Sequence, residues 1–191
     1  MEWNPNYRFL YYFLSLVCLF ILSSPQLLQA ADQTSQMGLL FGLSVPNADN
    51  TNPRQLYGIR GSAFVTPSLS LGGYYLVSGK IEGKDGRDFD YSLHGIEGAY
   101  HIVSPRGDTF MGLRVGLSKV RTDVSGTKVI HSPDHVGVAL GYDYYLTTWM
   151  SVGFEGSYVR VKSSESTQTG GQFAEDSFNI ISFLLSLQFR L

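Results

Sequence analysis

The end of the chain alternates. Ile181, Phe183, Leu185, Leu187 and Phe189 are large and apolar, and they interleave with Ser182, Leu184, Ser186, Gln188 and Arg190. An extended backbone sends successive side chains to opposite faces, so a period of two describes a strand with one greasy face and one largely wet face. Such a strand, tilted, crosses a bilayer in about 9–11 residues. Its backbone donors and acceptors find no partners in hydrocarbon, so the pattern points to a sheet closed on itself with its apolar face outward.

The alternation recurs upstream. In the first strand Leu39, Phe41, Leu43 and Val45 oppose Gly38, Leu40, Gly42 and Ser44; in the second Tyr57, Ile59, Gly61, Ala63 and Val65 oppose Gly58, Arg60, Ser62 and Phe64. The third sets Leu69, Leu71, Gly73, Tyr75 and Val77 against Ser70, Gly72, Tyr74, Leu76 and Ser78. The fourth sets Ile96, Gly98, Tyr100 and Ile102 against Glu97, Ala99 and His101. Met111, Leu113, Val115 and Leu117 face away from Gly112, Arg114, Gly116 and Ser118 in the fifth. The sixth turns Val136, Val138, Leu140, Tyr142 and Tyr144 away from Gly137, Ala139, Gly141 and Asp143. Met150, Val152, Phe154, Gly156 and Tyr158 oppose Ser151, Gly153, Glu155 and Ser157 in the seventh, and the closing strand makes eight. The expected fold is all-β, an eight-stranded antiparallel up-and-down transmembrane barrel over 31–191.

Connections alternate in length. Short ones follow the second, fourth and sixth strands, at 66–68, 104–108 and 147–148. Longer polar ones cover 46–55, 79–90, 122–134 and 162–176. This asymmetry is that of outer-membrane barrels, with short periplasmic turns and long outer loops. Prolines 46, 67, 105 and 133 fall at strand ends or in connections, where a missing N–H does no harm. Tyr142, Tyr144, Tyr145 and Trp149 cluster at one end, and Tyr57 and Tyr158 lie nearer the other, as interfacial girdles do.

The beginning of the chain reads as an address. Arg8 precedes an apolar run from Phe9 to Leu22, Ser23-Ser24-Pro25 breaks it, and Leu28-Gln29-Ala30 offers a small residue at a cut. Residues 1–30 are expected to be a secretory signal peptide, the run being short for a spanning helix. Cys18, the only cysteine, lies inside this run after Val17, which does not fit a lipoprotein signal. The mature chain is then without a thiol or a disulfide.

Composition argues against a soluble barrel. Charged residues make up 16% of the chain, against about 25% in typical soluble domains. The non-greasy face is mostly Gly, Ser and Ala, which suits a crowded narrow interior; a solvent coat would be rich in Lys and Glu. A net charge of −2 gives no basis for expecting nucleic acid as a partner.

These residues resemble the eight-stranded outer-membrane β-barrel family of OmpA, OmpX and OmpW type. The likeness covers the whole expected mature chain and is carried by 146–158 (Leu-Thr-Thr-Trp-Met-Ser-Val-Gly-Phe-Glu-Gly-Ser-Tyr), by 65–74 and by the closing strand. Two departures stand in that strand. The family's terminal aromatic is displaced to Phe189, with Leu191 last, and Ser186 occupies a position where glycine is common. The resemblance implies a Gram-negative-type outer-membrane location, with outer-membrane lipids, lipopolysaccharide and the barrel-assembly machinery as partners and no cofactor.

Candidate site residues come from the inward face. Arg60, Arg114 and Arg190 face Glu97, Asp143 and Glu155 in a balance of three to three, and His101 joins them. Unpaired charges in a narrow lumen cost several kcal/mol, so these are expected to pair into a structural ladder, Glu97 with Arg114 first. A bore of eight strands leaves little room for conduction. At the third outer loop His131-Ser132-Pro133-Asp134-His135 brings Ser, His and acid together. Similar residue types serve lipid A deacylases, but adjacent Ser132 and His131 would point to opposite faces, and a metal held by His131, Asp134 and His135 would rest on a mobile loop. Arg106-Gly107-Asp108 spells an adhesion tripeptide in an ordinary periplasmic turn. The fourth loop, 163–172, is Ser/Thr/Gly-rich. The second carries Lys80, Glu82, Lys84, Asp85, Arg87, Asp88 and Asp90, and either loop offers a surface to a host ligand.

The leading expectation is a non-catalytic outer-membrane protein that contributes to envelope integrity, with loops available for surface interaction. A transporter for small hydrophobic molecules, as the OmpW likeness allows, and a lipid A-modifying enzyme are the alternatives.

Overall fold

The computed structural model describes residues 35–47, 53–79, 81–82, 88–124, 127–162 and 177–191. The segment expected to be a signal peptide lies outside them. Ten strands follow one another: β1 (Ser35–Pro46), β2 (Arg54–Thr66), β3 (Leu69–Ser78), β4 (Ile81–Glu82), β5 (Asp88–Ser104), β6 (Gly107–Val124), β7 (Thr127–His131), β8 (Asp134–Tyr145), β9 (Met150–Val161) and β10 (Phe178–Arg190). Eight of them form a closed antiparallel ring in the order β5-β3-β2-β1-β10-β9-β8-β6, sealed by pairing of β5 with β6. β1 meets β10 from Gln36↔Arg190 to Pro46↔Ile180.

The greasy set faces out, as the alternation predicts. Leu39, Phe41, Leu43, Ile59, Leu113, Val138, Phe154, Phe183 and Leu185 are exposed on the outer wall. In each ring strand the outward stretch runs about nine residues, at 37–45, 57–65, 69–77, 94–102, 109–117, 136–144, 150–158 and 181–189. That length gives a belt about 25 Å tall at the usual tilt. Trp149 stacks on Phe189 at the short-turn end with centroids 6.2 Å apart, and Tyr57 and Tyr158 stand exposed at the other end.

Two long connections differ from their expected form. The segments 79–90 and 122–134 read as polar loops, yet β5 begins at Asp88 and β6 continues to Val124, pairing Asp88↔Asp123 through Ser92↔Lys119 beyond the belt. The short strands β4 and β7 add to the outer sides of this hairpin. Cross-strand backbone pairing holds these polar residues in the sheet where no apolar periodicity marks it.

Candidate functional site

At mid-height four inward side chains from four strands meet. Arg60 on β2 lies 2.8 Å from Glu155 on β9 and 3.5 Å from Glu97 on β5. Arg114 on β6 lies 2.5 Å from Glu97 and 2.7 Å from Glu155. All four are buried. Two cations and two anions cancel, which is what lets charge persist in a medium that otherwise penalises it by several kcal/mol per ion. Gly112 makes room: a Cβ there would stand 3.3 Å from the Glu97 side chain. Arg60 also lies 4.6 Å over the Phe110 ring, and Arg114 5.0 Å over Tyr74.

The other expected members stand apart from this quartet, so the interior is not a single ladder. Asp143 accepts from Ser186 Oγ at 2.8 Å and from Gln188 Nε2 at 2.5 Å. Ser186, which stands where the resemblance leads one to expect glycine, therefore holds a buried carboxylate. Arg190, half-buried at the short-turn end, lays its guanidinium 3.4 Å over Tyr145. His101 is bound to Ser70 and to Asp108, which the sequence marks only as a turn residue. Its Nε2 lies 2.8 Å from Ser70 Oγ, and its Nδ1 lies 2.7 Å from Asp108 Oδ2. Ser70 reaches His101 only through the register of β3 and β5, whereas Asp108 lies seven residues beyond His101 across the short turn that joins β5 to β6.

Between the quartet and the long-loop end the lumen is lined largely by apolar side chains, with Arg54, His135, Ser44, Ser78 and Ser118 buried at the same end. Leu40, Leu56, Leu76, Tyr91, Leu93, Val120, Val159, Val161, Ile180 and Leu184 form one buried cluster, with Phe178 packed against it. The expectation of a mostly small inward face holds lower in the barrel and fails here. In stretches such as Leu39-Leu40-Phe41 and Ile180-Ile181 both faces are apolar, so the alternation marks the outer face and blurs the inner one.

The residues of the third outer connection separate. His135 is buried in the lumen, its Nδ1 2.9 Å from Ser118 Oγ and its Nε2 in contact with the Tyr74 hydroxyl. Asp134 and Ser132 are exposed, and the side chain of His131 lies outside the described residues. Asp134 and His135 thus point to opposite sides of β8, which does not suit one metal. In the tripeptide turn Arg106 is exposed, while Asp108 points inward to His101. The loop 163–172 and most of the charged loop 80–88 lie outside the described residues.

Comparison with known proteins agrees with this architecture. Residues 14–189 match the family model described as the outer membrane protein beta-barrel domain. No curated protein sequence matches the chain. Among solved structures, Neisserial surface protein A (NspA) is similar with a TM-score of 0.64 at 12% identity, over 82% of this chain and 96% of that one. Ail, the attachment invasion locus protein of Yersinia pestis, gives 0.57 at 11%, over 83% and 99%. The N-terminal β-barrel domain of Pseudomonas aeruginosa OprF gives 0.57 at 16%, over 83% and 98%. At such identities the likeness is one of fold.

Proposed function

The chain belongs to the outer-membrane protein β-barrel family, and from that premise we propose that it is a sealed barrel contributing to envelope integrity, exported by its N-terminal segment. Its loops serve surface interaction, with lipopolysaccharide and a host-surface ligand as the expected partners. The observation that carries this reading is the filled lumen. The apolar cluster from Leu40 to Leu184 occupies the outer half, and the Arg60–Glu97–Arg114–Glu155 quartet crosses the middle. An ion would have to break the paired charges and then pass a largely apolar segment, both costly. The work of such a barrel lies in its walls and loops.

Passage of small hydrophobic molecules is the second reading, and the apolar outer half of the lumen favours it. Against it, the eight ring strands pair all the way round, with no side exit among the described residues. The test is a deletion strain complemented with the wild-type gene. It is expected to admit detergents and bulky antibiotics until complemented, while the purified protein gives no large stable conductance in planar bilayers. A deletion strain with unchanged permeability, or a wild-type protein that forms open channels, sinks the proposal.

A further inference from the structure

We propose that Ser70, His101 and Asp108 form a nucleophile–base–acid relay at the periplasmic mouth, reactive toward small carboxylic esters that enter from the periplasmic side. Nothing in the sealed-lumen reading is needed for it, since the relay lies at the mouth and calls for no passage through the barrel.

The connectivity is specific. Asp108 Oδ2 at 2.7 Å from Nδ1 fixes the imidazole tautomer with its proton on Nδ1, so Nε2 carries the lone pair and accepts from Ser70 Oγ at 2.8 Å. Orienting acid, base and hydroxyl thus occupy the order that activates a serine. Each sits on a strand next to a short turn: Ser70 is the second residue of β3, His101 lies near the end of β5, and Asp108 is the second residue of β6. All three are buried, yet only about two or three residues, or ~10 Å of strand, separate them from the barrel's end. Phe64, partly exposed, packs on the His101 ring with centroids 4.8 Å apart. Entry of an ester to the relay calls for the Phe64 side chain to change rotamer, which would limit it to small groups. Buried polar atoms are almost always paired, yet among the described residues Asp108 Oδ1, Ser62 Oγ and Ser151 Oγ at this end find no hydrogen-bond partner, nor do Nε and Nη2 of Arg60 above it. A polar guest would find donors in the two serine hydroxyls and the Arg60 N–H groups, and an acceptor in Asp108 Oδ1.

The reaction balances without a redox partner. Ser70 Oγ bonds to the ester carbonyl carbon as its proton passes to His101 Nε2. The bond from that carbon to the alcohol oxygen breaks, and the leaving alkoxide takes the proton from Nε2. Water then attacks the acyl carbon as its proton passes to His101 Nε2, the bond from that carbon to Ser70 Oγ breaks with Oγ taking the proton back, and the acid departs.

A fluorophosphonate, which phosphonylates activated serines, tests the proposal on the full chain, with folding checked by heat-modifiable migration. The folded wild type is expected to carry the adduct on Ser70, mapped by mass spectrometry, and Ser70→Ala to carry none. Removing the base in His101→Gln slows labelling about a hundredfold or more, Asp108→Asn does so through the wrong tautomer, and Phe64→Ala speeds it. Asp108→Asn serves if His101→Gln does not fold. A folded wild type whose Ser70 stays unmodified overturns the relay. So does labelling that proceeds equally fast without the base or the acid.

Discussion

Arg114 and Glu97 face each other as cross-strand partners on β6 and β5, and the arginine Nε donates to Oε2 at 2.5 Å with both side chains buried. Glu97 also meets Arg60, so one carboxylate neutralises part of two cations.

Glu97→Ala is therefore expected to leave uncompensated positive charge in the lumen and to destabilise the barrel by about 3–5 kcal/mol. Urea unfolding of the refolded protein in detergent or liposomes measures it. The same variant should show no large conductance, because the apolar cluster above remains. A loss below about 1 kcal/mol would mean that the quartet contributes little.

Leu185 sits at the centre of the outward stretch of β10 and is exposed on the wall. Leu185→Arg should cost about 2–4 kcal/mol in a bilayer, whereas Val45→Arg, at the rim of the belt on β1, should cost about 0–1 kcal/mol. Equal costs at the two depths would contradict a lipid-facing exterior.

Ser186→Gly removes the hydroxyl that Asp143 accepts from. A hydrogen bond to a charged group contributes about 1.5–3 kcal/mol, so the glycine variant should be the less stable one. The denaturant midpoint decides this, and an unchanged midpoint would show Gln188 sufficient alone.

Gly95 and Gly116 pair directly across β5 and β6, and a Cβ on Gly116 would fall 2.1 Å from the His94 carbonyl oxygen. Gly116→Ala should thus push the two strands apart at a cost of about 1–3 kcal/mol. Gly98 on the same strand as Gly95 has nothing within 4 Å of its built Cβ, and Gly98→Ala should stay within about 0.5 kcal/mol. Thermal shifts of the heat-modifiable band compare the two.

The eight ring strands and their outer face were legible because lipid imposes one requirement at every second residue, and Leu39-Leu40-Phe41 violates the alternation only on the inside. The inner face obeys pairing geometry, which no single strand contains. Glu97 and Arg114 could be matched because they lie on successive strands that a short turn joins. Ser70 gave no signal, since its partner His101 depends on the register between β3 and β5, and Asp108 looked like a turn residue. The outer extension of β5 and β6 was hidden for a related reason: away from lipid, polar strands and polar loops have the same composition.

The seam between β1 and β10 joins residues 36–46 to residues 180–190, the first ring strand synthesised to the last. Nascent β1 therefore has half its backbone partners on a segment the ribosome has yet to make. The cylinder cannot be laid down in order of synthesis, and until it closes the intermediate is a curved ribbon with two bare margins. Such margins aggregate unless guarded, so a lesson for expression follows. Trimming the final strand would strip partners from β1 and β9 together and leave a slit from one membrane face to the other.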